Sequence, residues 1–176
     1  MISPQEKDAG LLLNITGDGK GKTTSALGVV IRALGWGWKV AIWQFLKGTR
    51  ETGERDYFQK FHPAVPFVSC GLGNVFANLD HASAAQKGWQ QATQFLHSFD
   101  GNLLVLDELN VALGKGYLSC DDVLPVLLNR PKHLNIIVTG RYAPQPLLDA
   151  SDLVSDIQNI KHPLQHGIPA RKGLDF

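Results

Sequence analysis

The sequence predicts a three-layer α/β domain with a mainly parallel sheet, and two features of its pattern support this. Short apolar segments recur along the 176 residues, and segments with helical periodicity separate them. The apolar segments are nearly continuous instead of alternating with polar residues, which is typical of strands covered by helices on both faces. A repeated order of strand, helix and strand favours parallel strands joined by right-handed crossovers.

We expect six strands and five helices from this pattern. The strands are predicted at residues 11–15, 40–45, 67–69, 103–106, 135–138 and 153–156. The helices are predicted at residues 22–34, 54–61, 81–99, 121–128 and 145–150. No linker or repeat interrupts the order, so residues 1–176 are interpreted as one domain, with residues 1–10 and about 162–176 as peripheral segments.

Charge and composition exclude several classes of protein. The formal net charge is +1, which argues against nucleic-acid binding through many phosphate contacts. No apolar run reaches the roughly 18 residues of a membrane span, so we expect no membrane association. The first ten residues are polar and resemble no signal peptide, and Cys70 and Cys120 are far apart. We therefore expect a cytoplasmic protein with reduced thiols.

A glycine-rich segment follows the first predicted strand. Residues 16–24 read TGDGKGKTT, close to the phosphate-loop pattern GxxxxGK[ST], with Thr16 in place of the first glycine. In such a loop, backbone N–H groups and the positive end of the following helix face phosphate oxygens. Lys22 is expected to contact the phosphates, and the Thr23 hydroxyl to ligate Mg²⁺. The predicted nucleotide-binding residues of this loop are Gly17, Asp18, Gly19, Lys20, Gly21, Lys22, Thr23 and Thr24.

Acidic and basic residues follow the other predicted strands. Four apolar residues lead into Asp107 and Glu108, the Walker B pattern, at the sheet edge where ligands bind. Both acids are therefore expected at the Mg²⁺ ion, together with the loop threonine. Arg141 follows a later strand and is expected to contact a phosphate. Lys47 and Arg55 follow the second strand and are expected to act similarly.

Together these segments resemble the ATP:corrinoid adenosyltransferases, a family with a RecA-like phosphate-loop fold. The matching segments run in family order from about residue 11 to residue 176, and threonine at the first loop position is also a family habit. The segments are TGDGKGKTT at 16–24, QFLKG at 44–48, GER at 53–55, LDEL at 106–109, YL at 117–118, RP at 130–131, VTGR at 138–141, KH at 161–162 and GLDF at 173–176.

The resemblance implies that a corrinoid reduced to Co(I) attacks the 5′ carbon of ATP and that inorganic triphosphate leaves. A Co(I) nucleophile carries no proton, so the site needs alignment and charge stabilisation but no general base. The catalytic residues it implies are Lys22, Arg141 and Glu108, the last as a metal-shell or substrate-positioning residue. It also implies Mg²⁺ as cofactor, ATP and cob(I)alamin or a related corrinoid as substrates, a homodimer, and an electron-donating reductase as partner.

Two segments depart from the family pattern. Only about ten residues precede the first strand, where the family has a helical extension. The family's aromatic pair after the third strand is replaced by CGLGNVF at residues 70–76, in which only Phe76 is aromatic. The resemblance implies that Phe76 contacts the corrinoid, and packing in the core is the alternative.

Other functions share parts of these patterns. A nucleotide-gated ATPase or interaction protein would keep both nucleotide motifs without corrinoid chemistry and would release ADP and phosphate. A DNA motor would need a basic loop, and a small-molecule kinase would need an arginine-rich lid. The sequence shows neither feature. The histidines lack metal-ligand spacing. The tryptophans are expected to pack in the core, with contact to a corrin face as the alternative; they are Trp36, Trp38, Trp43 and Trp89.

Overall fold

The structure is a computed structural model that describes residues 9–48, 52–73 and 79–175. Its strands are β1 (Leu12–Thr16), β2 (Val40–Gln44), β3 (Phe67–Ser69), β4 (Leu103–Asp107), β5 (Asn135–Thr139) and β6 (Leu153–Asp156). Its helices are α1 (Lys22–Gly35), α2 (Gly53–Phe61), α3 (His81–Ser98), α4 (Leu109–Gly114), α5 (Cys120–Leu128) and α6 (Gln145–Asp149), and a 3₁₀ turn covers Pro163–His166. None of the helices in these ranges is long and apolar enough to cross a membrane.

The six strands form one sheet in the order β3-β2-β4-β5-β1-β6, and every neighbouring pair is parallel. The carboxyl ends of all strands therefore lie at one edge. In sheets of this kind, ligands bind outside that edge, where the strand order reverses. The parallel sheet confirms the predicted α/β fold. The loop after β1 and the two acids at the end of β4 share this edge, so both nucleotide motifs lie together.

Two apolar cores lie on opposite faces of the sheet. On one face, α1 and α2 pack against β4 through residues such as Leu103 and Val105. On the other face, α3 to α6 pack against the same strand through Leu104 and Leu106. Neighbouring residues of β4 thus face different cores, which explains why the central strands read as unbroken apolar runs. The expectation of cover on both faces is wrong for the edge strand β6, which is exposed along its whole length.

Helix α4 is absent from the sequence prediction. It has six residues, and Leu109 to Leu113 are all buried, so it lacks the polar face that produces a helical pattern. The buried Asn110 amide holds this helix beneath the site. It exchanges hydrogen bonds of 2.9 and 3.3 Å with the Asn14 amide of β1 and donates to the Gly140 carbonyl at 3.2 Å.

The expectation for the tryptophans is wrong for two of them. Trp36 is 81% exposed and Trp38 is 42% exposed, because both lie in the turn that follows α1 and face neither core. Trp43 of β2 is buried as expected and packs against Phe95 of α3, with 5.0 Å between ring centroids. Trp89 is half-buried.

Arg130 holds together the sheet edge opposite the phosphate loop. Its Nε donates to the Leu134 carbonyl at 3.0 Å, Nη1 to the Leu127 carbonyl at 2.9 Å and Nη2 to the Gly10 carbonyl at 2.6 Å. These carbonyls end α5 and precede β5 and β1. The RP segment therefore stabilises the fold at a distance from the nucleotide motifs.

We expect Arg130→Lys to lower the free energy of unfolding by about 1–3 kcal/mol, because an ammonium group cannot satisfy three separated carbonyls. Urea denaturation would measure this loss. Arg32→Lys on the exposed face of α1 is the matched control and should change stability by less than about 0.5 kcal/mol. Unchanged stability of Arg130→Lys would contradict the structural role.

Candidate active site

The phosphate loop connects β1 to α1 at the carboxyl edge of the sheet. Gly17 and Gly21 have φ angles of 95° and 113°, which only glycine adopts without strain, and Gly21 is the N-cap residue of α1. Lys22 begins the helix, and its Nζ donates to the Gly19 carbonyl. The first turn of α1, which the structure describes in full, has no acidic residue, so its positive field is available to an anion.

The loop glycines also make room for the chain that leaves β6. The Ile157 N–H donates to the Thr16 carbonyl at 2.9 Å, and the Gly19 N–H donates to the Ile157 carbonyl at 2.6 Å. A Cβ atom on Gly19 would lie 2.5 Å from the carbonyl oxygen of Gln158. Gly19 is therefore required by a contact within the protein as well as by the phosphate-loop conformation.

Asp107 is the buried centre of the site. Its Oδ1 accepts hydrogen bonds from the hydroxyls of Thr139 at 2.6 Å and Thr23 at 2.8 Å. Its Oδ2 accepts from Gln44 Nε2 at 3.1 Å and lies 3.0 Å from Lys47 Nζ. The side chain has no exposed surface, so the carboxylate depends on these partners for its stability as an anion. The loop, β2, β4 and β5 all meet at this group.

This arrangement fits Mg²⁺ as the metal. The Thr23 hydroxyl donates a hydrogen bond to Asp107 and accepts one from Lys47, which leaves one lone pair of its oxygen available to a cation. Mg²⁺ prefers oxygen ligands and keeps several waters, so Thr23 fits as a ligand and Asp107 as the residue that orients it. Within the ranges that the structure describes, no group of three or more His, Cys, Asp or Glu side chains suggests another metal site.

Lys47 supplies a positive charge beside Asp107. Its Nζ lies 3.3 Å from the Thr23 hydroxyl and 3.6 Å from Glu54 of α2. Burial alone would lower the pKa of Lys47, but the charge and hydrogen bond of Asp107, with the charge of Glu54, outweigh it and raise that pKa. Lys47 therefore remains a cation next to Thr23, in the first turn of α1.

Glu108 turns the chain from β4 into α4. Its φ of 63° is in the left-handed region, and its N–H donates to the Thr139 hydroxyl at 3.1 Å. A non-glycine residue in this region costs of order 1–3 kcal/mol, and such strain is concentrated at functional sites. Burial, followed by the charge of Asp107, raises the pKa of Glu108, against the opposing charges of Lys47 and Lys22. Glu108 is thus held at a position unfavourable to its charged form.

Arg141 extends over the phosphate loop from the end of β5. Its Nη2 donates to the Asp18 carbonyl at 2.9 Å, and its Nε is 3.9 Å from the Asp18 carboxylate. Burial, together with the nearby Arg141 charge, lowers the pKa of Lys22. A bound anion would oppose both effects, which makes this pair of cations a suitable place for phosphate oxygens.

The structure brings together most of the predicted site residues. Those that meet around the loop are Lys22, Thr23, Lys47, Asp107, Glu108 and Arg141. Lys20 lies in the loop and forms an ion pair with Asp175, and Thr24 is exposed in the first turn of α1. Arg55 is half-buried in α2, and its guanidinium has no hydrogen bond or ion pair with the described site residues. Phe76 lies outside the described residues.

Gln44 and Thr139 are site residues that the sequence reasoning missed. Both are the last residues of their strands, directly before the predicted Lys47 and Arg141 segments. The rule that places Asp107 at the carboxyl edge also places these two residues there. Their positions at the strand ends could therefore have predicted them as site residues, although neither side chain is charged.

Glu108→Gln should stabilise the protein, because it removes an acid whose pKa in the folded state exceeds its value in the unfolded chain. At pH values above the raised pKa, the gain in unfolding free energy should reach up to about 1 kcal/mol. It should disappear as the pH falls through the raised pKa to the pKa that Glu108 has in the unfolded chain. Thermal unfolding over a pH series would show this. Asp107→Asn is the contrasting variant and should lose about 1–3 kcal/mol of unfolding free energy, since Lys47 then loses its nearer, buried charge partner and keeps only Glu54. Equal effects of both variants would contradict the opposite environments of the two acids.

Comparisons with known proteins show the family of the chain. Residues 8–176 match the family described as ATP:corrinoid adenosyltransferase BtuR/CobO/CobP. A corrinoid adenosyltransferase of Pseudomonas aeruginosa is 40% identical, with 99% of this chain and 88% of the relative covered. A corrinoid adenosyltransferase of Escherichia coli is 32% identical, with 99% and 90% covered.

A solved structure shares the fold. The flagellar accessory protein FlaH of Methanocaldococcus jannaschii has a TM-score of 0.54 at 13% identity, over 84% of this chain and 71% of that chain. At this identity the likeness shows the fold alone, an α/β arrangement. The family match over nearly the whole chain goes further: this protein belongs to the ATP:corrinoid adenosyltransferase family.

Proposed function

We propose that this protein transfers the 5′-deoxyadenosyl group of ATP to the Co(I) of a reduced corrinoid and releases inorganic triphosphate, in adenosylcobalamin biosynthesis or salvage. The family match supports the corrinoid half of this proposal. The contact between Asp107 and Thr23, beside Lys22 and Lys47, is the observation that carries the nucleotide half. It joins the two nucleotide motifs into one phosphate site.

The reaction makes one bond and breaks one bond. Co(I) donates an electron pair to the 5′ carbon and becomes Co(III), and the carbon–oxygen pair leaves with the triphosphate. No proton moves in this step, so the protein contributes alignment and electrostatic stabilisation of the leaving group. Lys22, Arg141 and the loop N–H groups other than that of Gly19, which is bonded to Ile157, are suited to that task.

Mg²⁺ is part of the proposal. When bound, it would neutralise phosphate charge that develops on the leaving group. Thr23 would be its protein ligand and Asp107 would orient Thr23 through the observed hydrogen bond. Glu108 would hold metal-bound water or position the substrate, since the structure shows no hydrogen bond to its carboxylate within the described residues.

Further parts of the proposal rest on the family resemblance. They are a corrinoid contact by Phe76, a nucleotide contact by Arg55, a homodimeric state, a cytoplasmic location, and a reductase that supplies the electrons for Co(I). Cobalamin is the first corrinoid to test. Product analysis distinguishes the proposal from a nucleotide-gated ATPase, which would release ADP and phosphate.

An anaerobic assay with Mg-ATP and chemically reduced cob(I)alamin tests the proposed reaction. The visible spectrum should change to that of light-sensitive adenosylcobalamin, with one triphosphate released per turnover. Lys22→Ala should lower kcat/KM by about 100-fold or more while the circular dichroism spectrum stays unchanged. Lys132→Ala, at an exposed lysine on the opposite edge, is the control. ADP as product, or full activity of Lys22→Ala, would refute the proposal.

The Mg²⁺ requirement should depend on the Thr23 hydroxyl. We expect Thr23→Val to need roughly tenfold or more Mg²⁺ for half-maximal activity, whereas Thr23→Ser, which keeps the hydroxyl, should remain close to the original. A Mg²⁺ titration of initial rates at saturating ATP would measure both. An identical Mg²⁺ requirement in the valine variant would show that Thr23 is not the ligand.

A further inference from the structure

The C-terminal end of the described chain folds back onto the phosphate loop. Directly after β6, Ile157 exchanges two backbone hydrogen bonds with the loop, one with Thr16 and one with Gly19. Near the end of the chain, the Asp175 carboxylate forms an ion pair with Lys20, the residue that follows Gly19. The segment 157–175 therefore contacts the phosphate loop at both of its ends.

The carboxylate of Asp175 is held in place by a tight turn. Its Oδ2 accepts from the Arg171 N–H at 2.6 Å, and the Asp175 N–H donates to the Arg171 carbonyl at 2.8 Å. Gly173, with φ of 84°, allows the chain to reverse there. Oδ1 is then directed to Lys20. Asp175 as a whole is exposed, but its side chain is only 22% exposed, because the carboxylate contacts Lys20 and the Arg171 N–H.

Little apolar packing holds this part of the chain. Nearly all of residues 161–175 are exposed, and the Lys20 side chain is 45% exposed. An ion pair between groups with this much access to water contributes little to stability and exchanges partners readily. The contact with Lys20 is thus strong enough to position the turn and weak enough to be replaced by another anion.

Lys20 lies where an anion is expected. It stands between Gly19 and Gly21 in a loop whose N–H groups and helix terminus favour negative charge. We propose that Asp175 is an internal competitor for the polyphosphate. It occupies the Lys20 cation when the loop is empty and is displaced when phosphate oxygens take that cation, which releases the turn at residues 171–175. This inference rests on the proposed function, because it requires that the loop binds the triphosphate of ATP.

Inorganic tripolyphosphate with Mg²⁺ is the probe, because it contacts the loop without a nucleoside. Asp175→Asn keeps an acceptor for the Arg171 N–H but removes the charge. Its affinity for tripolyphosphate by titration calorimetry should rise about two- to fivefold, as expected for the removal of one partly exposed ion pair. Asp100→Asn is the matched control, since it also removes a carboxylate from an exposed lysine pair, at the opposite edge of the sheet. It should leave the affinity within about the error of the method, because a distant exposed charge is screened.

A double-mutant cycle tests whether Lys20 is the shared partner. Lys20→Ala should weaken tripolyphosphate binding, and adding Asp175→Asn to it should then have no further effect. Hydrogen exchange gives an independent measurement in the original protein. Amide exchange in residues 171–175 should become faster when tripolyphosphate binds, because the turn loses its anchor.

Three results would overturn the inference: weaker or unchanged binding by Asp175→Asn, an equal gain in Asp100→Asn, or slower exchange in residues 171–175 on binding. Binding of tripolyphosphate that is indifferent to Asp175 would remove this inference and leave the proposed function intact. If neither the original protein nor Asp175→Asn binds tripolyphosphate or ATP, the nucleotide half of the proposed function fails as well.

Discussion

The buried carboxylate of Asp107 is the group on which the arrangement of the site depends. A buried anion is stable only if its oxygens are fully hydrogen bonded, and here the donors come from β2, β5, the loop after β2 and the first turn of α1. Satisfying this one charge therefore fixes the distance between the phosphate loop and the sheet. It also orients the Thr23 hydroxyl, which donates to Asp107, accepts from Lys47 and keeps one lone pair for the proposed Mg²⁺ ion.

The phosphate-loop glycines satisfy two constraints at once, the conformation of the loop and the close approach of another segment of the chain. The pattern alone predicts small residues that allow a tight loop around phosphate. The structure adds the close approach of Ile157 and Gln158, which takes the N–H of Gly19 and leaves no room for a Cβ atom there. The chain after β6 is thus a structural support of the nucleotide site, although it is far from the loop in sequence.

Much of the fold could be predicted from the sequence because the relevant constraints are local. Strands buried on both faces read as apolar runs, and the loop that binds phosphate is contiguous in the chain. The sequence could not predict α4, because a helix that is buried on all sides has no polar residues recurring with helical spacing. Nor could it show that Asp175 reaches Lys20 or that Gln44 and Thr139 hold Asp107, since those pairings depend on which distant segments the topology brings to one edge.

The charges of the site explain how a nearly neutral protein can be prepared for a highly charged ligand. Two of its three central cations already have a charged partner within the protein: Lys47 has Asp107 and Glu54, and Arg141 has Asp18, whereas Lys22 donates to the Gly19 carbonyl. These pairs reduce the repulsion that an unpaired cluster of cations would cause. These carboxylate partners differ in burial, so phosphate cannot replace them equally easily. Asp107 is fully buried and remains with Lys47, whereas Asp18 is exposed and its cation can turn to phosphate at little cost. In the proposed function, binding of a polyphosphate is then an exchange of partners at the exposed cations around a fixed buried pair, and the affinity depends on how weakly the protein holds the cations that the ligand must take.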